Sequence, residues 1–314
     1  MSNPTSPASF YVKLENAQLL LVNGPDSSKF LQGQVTCDVR ELANPVTRLG
    51  AQCTPKGRIL LSFRALQMHE QTIALRMPAT MIDKAKTSLG KYIVFSKAKL
   101  AETDRYQLFG LYGASATELA TQWFGESPTE IGGWIERNGS YLIQLAHDRY
   151  ECWISVEDSD NFIQLFDTVH EGTEHDWQLL DIRAGIASVT PETIELFTPQ
   201  ELNYQLVGGI NFRKGCYTGQ EIVARLHYRG KLKRHMYRLA GKGALPAPGS
   251  ALVSSGDRQT SGYVVMAATS DDNHFEILAS LLADHLDKAQ LEDRPEKLSA
   301  LALPYAIPTA AEHP

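Results

Sequence analysis

The sequence predicts an α+β protein of two or three domains that ends in an all-β domain. With 314 residues, the chain is longer than one ordinary hydrophobic core accommodates. Strand-like and helix-like runs alternate as far as Arg229, which is the pattern of mixed α+β units. Beyond Arg229, short strands are separated by the turn segments GKG, PAPG and SSGD, which is typical of a small all-β domain.

The composition is that of a soluble globular protein. Hydrophobic residues make up 43% and charged residues 21% of the chain, so neither a disordered chain nor a membrane protein is indicated. No apolar run approaches the roughly 18 residues that a membrane-spanning helix requires. The first residues, MSNPTSPAS, lack the basic and apolar regions of a signal peptide, so we expect a cytoplasmic protein.

The mixed region is predicted to begin with strands. Residues 10–23 have the pattern of two short strands, and Asp26 or Ser27 is expected to cap the helix that follows. Next, the strand-like runs RILLSFRAL, TIALRM and KYIVFSKAKL flank a helix over residues 79–92. This alternation predicts an α+β unit.

The second half of the mixed region repeats the alternation. Strands are predicted at residues 107–113, 141–146 and 151–156, and helices at residues 115–124, 161–171 and 176–188. About 20 residues rich in Pro, Thr, Gln and Asn come next, so a loop is expected there. This loop leads into the segment KGCYTGQE, which contains the most informative residues of the chain.

Basic residues concentrate in one segment of an otherwise acidic chain. Residues 201–240 hold eight basic residues, namely Arg213, Lys214, Arg225, Arg229, Lys231, Lys233, Arg234 and Arg238, against Glu201 and Glu221. This segment therefore carries +6, and since the whole chain carries −6, the rest carries −12. Concentrated positive charge attracts anions, so an anionic ligand is expected here. A solvated basic face without a partner is the alternative.

Cys216 is the candidate reactive residue. It lies just before a predicted helix, whose N-terminus, together with Arg213 and Lys214, is expected to favour the thiolate over the thiol. The chain has three other cysteines, Cys37, Cys53 and Cys152, which are expected to be small buried side chains. Because no C-x-x-C pair is present, no metal site is predicted.

Local signals define the start of the helix after Cys216. Thr218 and Glu221 have the spacing of a capping box for a helix that begins near Gly219. Gly215 and Gly219 allow a sharp turn or a positive φ and would leave the sulfur uncovered.

A cysteine hydrolase is a competing interpretation of this thiol. His227 and His235 follow the loop and are candidate general bases for such chemistry. No protease or transferase signature and no oxyanion arrangement is recognisable, so both histidines are assigned to the basic segment.

Several stretches resemble one known family. The segment KGCYTGQE followed by IVAR, at residues 214–225, resembles the signature of the YgfZ family. Further similar stretches are FLQGQVTCDV at 30–39, FTPQELNYQLVGGINFRKG at 197–215, KYIVFSKAKL at 91–100 and LPY at 303–305. The resemblance therefore covers nearly the whole chain.

This resemblance implies a three-domain architecture like that of the glycine-cleavage T-protein (aminomethyltransferase), with the domains around a central folate cavity. The expected boundaries are 1–45 with 120–228 for a discontinuous folate-binding core, 46–119 for an inserted α+β domain, and 229–314 for a C-terminal β-barrel.

The resemblance also implies the function. The family binds tetrahydrofolate species and supports iron-sulfur enzymes and thiolation-type tRNA modification, with the motif cysteine, here Cys216, as its critical residue. Trp177 matches a position associated with folate, and an aromatic ring stacks well on a pterin; a core tryptophan is the alternative. Two positions depart from the pattern. Arg183 stands where T-proteins that transfer one-carbon units carry a pterin-binding glutamate, and Ala17 replaces a family tryptophan.

We therefore predict a site for tetrahydrofolate or a one-carbon derivative, with Cys216 and Lys214 as catalytic residues. The predicted cofactor-binding residues are Trp177, Gln34, Asp38, Asn211, Tyr217, Gln220, Glu221, Arg225, Lys231 and Arg234. The last three are expected to pair with the carboxylates of the folate glutamate tail.

The expected partners are folate and iron-sulfur enzymes or their assembly proteins. Neither a stable nucleic-acid complex nor membrane association is expected, and the chain is predicted to be a monomer. Two rival functions stay open, a folate-dependent one-carbon (methyl or aminomethyl) transferase and an RNA-binding module that uses residues 225–238.

Overall fold

The computed structural model describes residues 9–228, 230, 232–256 and 259–308. The strands are β1 Phe10–Lys13, β2 Ala17–Asn23, β3 Arg48–Cys53, β4 Ile59–His69, β5 Thr72–Pro78, β6 Lys99–Glu102, β7 Tyr106–Tyr112, β8 Trp134–Arg137, β9 Ser140–Ala146, β10 Arg149–Ser155, β11 His170–Glu171, β12 Arg234–Lys242, β13 Ala251–Ser254, β14 Thr260–Asp271, β15 His274–Leu282, β16 Ala289–Leu291 and β17 Ser299–Leu301. The helices are α1 Ser27–Gln32, α2 Ile82–Ile93, α3 Ala116–Phe124, α4 Ser159–Gln164, α5 Glu174–Ala184 and α6 Gln220–Tyr228.

The first sheet has the strand order β11-β1-β7-β10-β9-β8, with β1 parallel to β11 and antiparallel to β7. Its central strand β10 is buried along almost its whole length, because helices cover both faces of the sheet. Helices α3 and α4 pack on one face, where Phe109 and Phe162 meet. Helix α5 packs on the other face through Trp177 and Leu180.

The second sheet has the order β3-β4-β5-β2-β6 and is covered by α2. Helix α2 buries Ile82, Ala85, Ser88 and Leu89, and this i, i+3, i+4 spacing places all four on one face. Their core continues into α5 through Ile182 and into the C-terminal sheet. One continuous hydrophobic core therefore joins the second sheet to the C-terminal sheet.

The C-terminal sheet is antiparallel, with the order β16-β13-β14-β15-β12-β17. It is curled into a half-barrel whose inner side is filled by aliphatic side chains such as Leu239, Val264 and Ile277. Helix α5 packs against β14, so this sheet is attached to the rest of the molecule through the same helix that covers the first sheet.

The α+β fold class is confirmed, and the C-terminal domain is all-β as predicted. The predicted strand over residues 91–100 is wrong at its start, because α2 runs to Ile93 and β6 begins only at Lys99. The helix predicted at residues 161–171 is also shorter, since α4 ends at Gln164 and β11 follows.

The domain boundaries stay predictions, although the sheets divide the chain differently. Strand β2 pairs with β5 and β6, which lie in the range 46–119 assigned to the inserted domain. Strand β7, from the same range, pairs with β1 and β10 of the first sheet. No helix within the described ranges combines the length and apolar character needed to cross a bilayer.

Candidate functional site

A channel lies where the three sheets meet. It consists of a wide cavity of about 430 Å³, a neck of about 30 Å³ and a far cavity of about 290 Å³. The neck shares Leu49, Arg64, Leu145 and Ile186 with the wide cavity, and Arg76, Pro78, Asp181 and Ser188 with the far cavity. These shared walls place the three cavities side by side, and the row that they form is called the channel below.

Two arginines line the neck from adjacent strands. Arg64 on β4 and Arg76 on β5 are direct cross-strand partners. Arg64 donates from Nη1 to the Thr47 hydroxyl at 3.1 Å, and burial lowers the pKa of its guanidinium. Arg76 Nη2 lies 3.2 Å from Glu151 Oε2, so this carboxylate offsets part of the repulsion between two like charges on one sheet face.

A second ion pair stands beside the neck. Arg149 Nη2 donates to Asp181 Oδ1 at 2.7 Å, and its guanidinium lies 4.0 Å from the centroid of the Trp177 ring. Both ion pairs connect the first sheet to a neighbouring element, because Arg149 and Glu151 lie on β10, Asp181 on α5 and Arg76 on β5. The channel is thus lined by Arg64 and Arg76, and Arg149 stands behind the wall, bonded to the lining residue Asp181.

Two of these arginines keep an unused donor. Within the described part of the chain, the buried Nε atoms of Arg76 and Arg149 have no hydrogen-bond partner. An unsatisfied buried donor is costly, so such atoms are usually paired with water or a ligand. The channel therefore fits a ligand with acceptor atoms, and the carboxylates of Glu151 and Asp181 fit one with donors. A pterin carries both.

The wide cavity contains two of the predicted folate residues, Asp38 and Asn211. Asp38 accepts a hydrogen bond from the Arg40 side chain at 2.6 Å, and this bond holds the pKa of the Asp38 carboxyl at about 2. The Asn211 side chain donates to Glu41 Oε1 at 3.0 Å, and its backbone N–H donates to the Thr36 carbonyl at 2.9 Å. Both residues are therefore held on the cavity wall by bonds of their own.

The far cavity contains Trp177 and Ala17, the two tryptophan positions of the family likeness. Trp177 is 3% exposed and packs against Gly110, where an added Cβ would lie 2.5 Å from its ring. The ring face below Arg149 is covered, so it is not open to a pterin. Trp177 is thus both a core residue and a cavity wall, and its part in folate binding stays a prediction.

Arg183 lies away from the channel, although the family resemblance implies a pterin-binding glutamate of T-proteins at this position. Its guanidinium donates to Glu276 Oε1 at 2.9 Å, and Arg238 donates to the other oxygen of the same carboxylate at 2.7 Å. Burial by itself would raise the pKa of Glu276, but the two arginines outweigh it and lower that pKa. Arg183 therefore ties α5 to the half-barrel and is not among the residues that line the channel.

The four cysteines differ sharply in exposure. Cys37, Cys53 and Cys152 are buried, and Cys216 is exposed. Burial raises the pKa of Cys37 and Cys53 to about 12, and raises that of Cys152 as well. Cys216 is therefore the accessible thiol of this chain, as the sequence predicted.

Lys214 anchors the loop that carries Cys216. Its side chain is buried, and Nζ donates to the carbonyls of Gln32 at 2.8 Å, Val35 at 2.5 Å and Cys37 at 2.8 Å. Burial lowers the pKa of Lys214 to about 8. From the sequence, we expected the Lys214 charge to lie beside the Cys216 thiol. The structure instead uses it to bind the loop to the turn after α1, and a catalytic role stays a prediction.

The helix after Cys216 begins at Gln220, close to the predicted position. Gly219 has φ +85°, and an added Cβ would lie 2.4 Å from the Thr54 carbonyl, so glycine is required there. Gly215 has open space around it. Among the described residues the Thr218 side chain makes no hydrogen bond, so the predicted capping box is not formed.

The other predicted cofactor residues lie away from the channel walls. Tyr217 is buried below the Lys214 ammonium, at 5.0 Å from ring centroid to Nζ. Gln220, Glu221 and the exposed Arg225 belong to α6. Gln34 has a buried Oε1 atom without a partner among the described residues, but it does not line the channel.

The remaining two predicted tail-binding residues belong elsewhere. Arg234 lines a separate cleft of about 450 Å³ between α6 and the half-barrel, and its Nε donates to the Ser261 carbonyl at 3.3 Å. Lys231 lies outside the described residues. Of the predicted set, the structure thus brings Asp38, Asn211 and Trp177 to the channel.

The sequence reasoning missed Arg64, Arg76 and Arg149. A weak signal existed, since Arg64 and Arg76 interrupt the strand-like runs RILLSFRAL and TIALRM, where a charged residue is unusual. Their pairing across two strands required the register of the sheet.

Comparisons with known proteins give a consistent family. No protein-family model matches the chain. It is 34% identical over 305 residues to the tRNA-modifying protein YgfZ of Pectobacterium carotovorum subsp. carotovorum strain PC1, covering 94% of this chain and 91% of that protein. The protein of the same name from Cronobacter sakazakii strain ATCC BAA-894 is 32% identical over 312 residues, with 95% and 94% covered.

Among solved structures, the fold matches the glycine cleavage system aminomethyltransferase T from Bartonella henselae with a TM-score of 0.78. The identity is 16%, and the match covers 96% of this chain and 87% of that one, so the likeness concerns the fold. Since relatives above 30% identity match nearly end to end, the chain belongs to the YgfZ family.

Proposed function

We propose that this protein binds tetrahydrofolate, or a one-carbon derivative of it, in the central channel and supports tRNA modification in the cytoplasm. The names of its relatives support the tRNA role, and the likeness to an aminomethyltransferase fold supports the folate ligand. The maintenance of iron-sulfur enzymes belongs to the same proposal through the family resemblance. Cys216 is the residue through which the protein acts on its partners.

The observation that carries the proposal is the unused donor of Arg76, a residue of the channel wall. Arg76 Nε would donate to an acceptor atom of the ligand, while Glu151 or Asp181 would accept from its amino and ring N–H groups. Folate when bound supplies a one-carbon carrier. The residues of the chain supply binding and exclusion of water, because the neck is narrow and walled by ion pairs.

Cys216 lies close to the channel in the chain. Asn211, five residues earlier, is part of the cavity wall, and five residues of extended chain reach at most about 18 Å. The thiol is exposed, so a partner enzyme or an RNA can approach it without any rearrangement of the core. This arrangement suits a protein that binds folate in the channel and presents its exposed thiol to a partner.

Calorimetric titration of the full chain with tetrahydrofolate tests the ligand. Wild type is expected to bind, and Arg76→Lys, which keeps a charge beside Glu151 but removes Nε, is expected to bind at least about tenfold more weakly. Arg105→Lys is the matched control at an exposed surface position and should bind like wild type. No binding of tetrahydrofolate or its one-carbon derivatives by wild type would refute the folate proposal.

Complementation of a bacterial strain that lacks its own YgfZ tests the thiol. Cys216→Ser is expected to leave the sulfur-modified nucleosides of tRNA at the level of the deletion strain, whereas Cys152→Ser should restore them. Full restoration by Cys216→Ser would reject the role of the thiol. Turnover of a methylated amine by purified protein with tetrahydrofolate would instead favour the one-carbon transferase.

A further inference from the structure

Two clefts flank the loop that carries Cys216. The first, of about 450 Å³, lies between α6 and the half-barrel and includes Lys56 and Lys233. The second, of about 220 Å³, lies along α2 and includes Lys84, Lys91 and Tyr92. Neither cleft is part of the channel, so neither is explained by the folate ligand.

The turn between β3 and β4 separates the two clefts and touches the Cys216 loop. Thr54 lines the second cleft, and Lys56 lines the first. An added Cβ on Gly219 would lie 2.4 Å from the Thr54 carbonyl, and one on Gly57 would lie 2.9 Å from Ile222 of α6. The loop that carries the exposed thiol therefore contacts, through Gly219, the turn that divides the clefts.

The charge of the clefts is opposite to that of the molecule. Their lining includes six basic side chains and two acidic ones, whereas the whole chain carries −6. Among the described residues, no carboxylate pairs with Lys56, Lys84, Lys91 or Lys233, and one of the two acids, Glu201, is bound to Arg58 at 2.9 Å. The lysine charges are thus available to an outside anion.

Exposed aromatic rings continue the second cleft. Tyr92 at the end of α2 is 42% exposed, and Phe95 in the following turn is 93% exposed. Nothing in the fold requires a phenyl ring in water at this place, because the core side of α2 is already closed by Leu89. Lysines near exposed rings are the combination that binds phosphates and stacks on unpaired bases.

We propose that the two clefts and the turn at Tyr92–Phe95 form a docking surface for tRNA, with Cys216 between the phosphate contacts. This inference rests on the proposed role in tRNA modification and adds where the RNA binds. RNA is favoured over a protein partner because the free charges are separate lysines around two clefts, which match phosphates spaced along a strand. The acidic remainder of the chain repels RNA and restricts binding to this face.

Fluorescence anisotropy with a labelled in vitro transcript of a bacterial elongator tRNA tests the proposal. The double variant Lys84→Glu/Lys91→Glu is expected to weaken binding by at least about tenfold and to reduce the slope of log Kd against log salt by about 1 to 2. The control Lys242→Glu/Lys297→Glu makes the same charge change in the half-barrel. Lys297 lies two residues before Ser299, which pairs with Ala240, so both control positions lie at the same end of the sheet. Lys242 ends the strand that Arg234 begins, about 26 Å away, so this control should change Kd less than about twofold.

Phe95→Ala separates stacking from charge. It is expected to weaken binding by about fivefold or more while the salt slope stays unchanged. Thermal denaturation of every variant confirms that the chain is folded. Equal losses of affinity for the transcript in the test and control double variants would overturn the docking surface, because they would reflect net charge alone.

Two further outcomes separate this inference from the folate proposal. Wild type that binds tetrahydrofolate but not the transcript at low salt overturns the docking surface and leaves the folate site standing. A Lys84→Glu/Lys91→Glu protein that binds the transcript like wild type, yet fails in complementation, would assign the surface to a protein partner and would equally overturn the RNA proposal.

Discussion

The loop that carries Cys216 and the wall of the channel each depend on a buried cation, and the two cations are held in different ways. Lys214 donates to three backbone carbonyls, and no carboxylate of the described residues forms an ion pair with it. Arg76 faces the carboxylate of Glu151 and keeps Nε unpaired. An ammonium has three donors and a guanidinium has five, so Lys214 is fully used whereas Arg76 is not.

This difference teaches which charge positions the chain and which binds a ligand. A cation whose donors are all satisfied by backbone carbonyls fixes a loop and has no donor left for a ligand. A cation with a spare buried donor is incomplete until a ligand or water pairs with it. The bonds of Lys214 thus anchor its loop, and we propose Arg76 as the ligand-binding cation. The predictions below test this assignment, from the largest expected effect to the smallest.

The largest expected contrast is in thiol alkylation. Cys216 is exposed, whereas Cys53, directly beneath Gly219, is buried with its pKa raised to about 12. At that pKa roughly one Cys53 thiol in 10⁴ is ionised at pH 8, so we expect Cys216 to react with iodoacetamide at least about 1,000-fold faster in the native protein. Mass spectrometry of time-resolved alkylation measures both rates. Comparable rates would show that the loop opens and exposes the core below it.

The second contrast compares a channel arginine with a surface arginine. Arg76→Met leaves the 3% exposed side chain of Glu151 with its hydrogen bond from Trp153 Nε1 but without its ion-pair partner, so we expect the free energy of unfolding to fall by about 3 kcal/mol. Arg225→Met removes an exposed charge and is expected to change it by less than about 0.5 kcal/mol. Urea denaturation measures both values. Similar losses would remove the distinction between channel and surface charge.

The third contrast concerns the anchor. Lys214→Met leaves three carbonyls without their donor, so we expect a loss of about 2 kcal/mol at pH 7, against almost none for its exposed neighbour Arg213→Met. The pKa of Lys214 is about 8 in the folded chain and 10.5 ordinarily. Between these values the unfolded chain binds more protons, so the stability of wild type rises with pH relative to Lys214→Met. If the difference in the free energy of unfolding between wild type and Lys214→Met became smaller between pH 8 and 10.5, this expectation would be contradicted.

The smallest effect is expected at the wall of the wide cavity. The Arg40 side chain lowers the pKa of Asp38 from 3.8 to about 2, so Asp38 stabilises the fold above pH 4 and loses this contribution as the pH falls through 2. Because Arg40 is exposed, we expect Asp38→Asn to cost about 1 kcal/mol or less at pH 7. Urea denaturation between pH 2 and 7 measures this, with the exposed Asp83→Asn as control. An equal pH dependence in both variants would show that Asp38 is not the group that titrates.

The elements near Cys216 were predictable because their signals are local. The exposed turn and the helix from residue 220 follow from neighbours within a few residues, whereas the close approach of Gly219 to the Thr54 carbonyl brings together distant parts of the chain. The capping box was predicted wrongly. Thr218 and Glu221 have the required spacing, but the Thr218 side chain makes no such hydrogen bond among the described residues. The strand predicted over residues 91–100 was wrong at its start, because helix α2 extends to Ile93 and thus into the apolar run that indicated a strand.

The channel was not predictable in its detail. Arg64 and Arg76 become neighbours only through the register of β4 and β5, and Arg149 meets Asp181 only after α5 packs on the first sheet. That Arg183 departs from the T-protein pattern stays a prediction, and its pairing with Glu276 of the half-barrel required the packing of α5 against that sheet. Of the basic segment seen in the sequence, Arg225 is exposed on α6, and Lys233 and Arg234 line the first cleft of the proposed RNA surface.

By itself, the sequence determined the mixed fold with its all-β end, the family and the thiol at the start of a helix, because periodicity, turns and motifs act over short stretches of chain. The tertiary structure alone decided where the charges go. It placed Lys214 among carbonyls from residues 32–37 and set Arg76 against Glu151 across two sheets. The physical reason is that the energy of a buried charge depends on which partners surround it, and those partners come from distant parts of the chain.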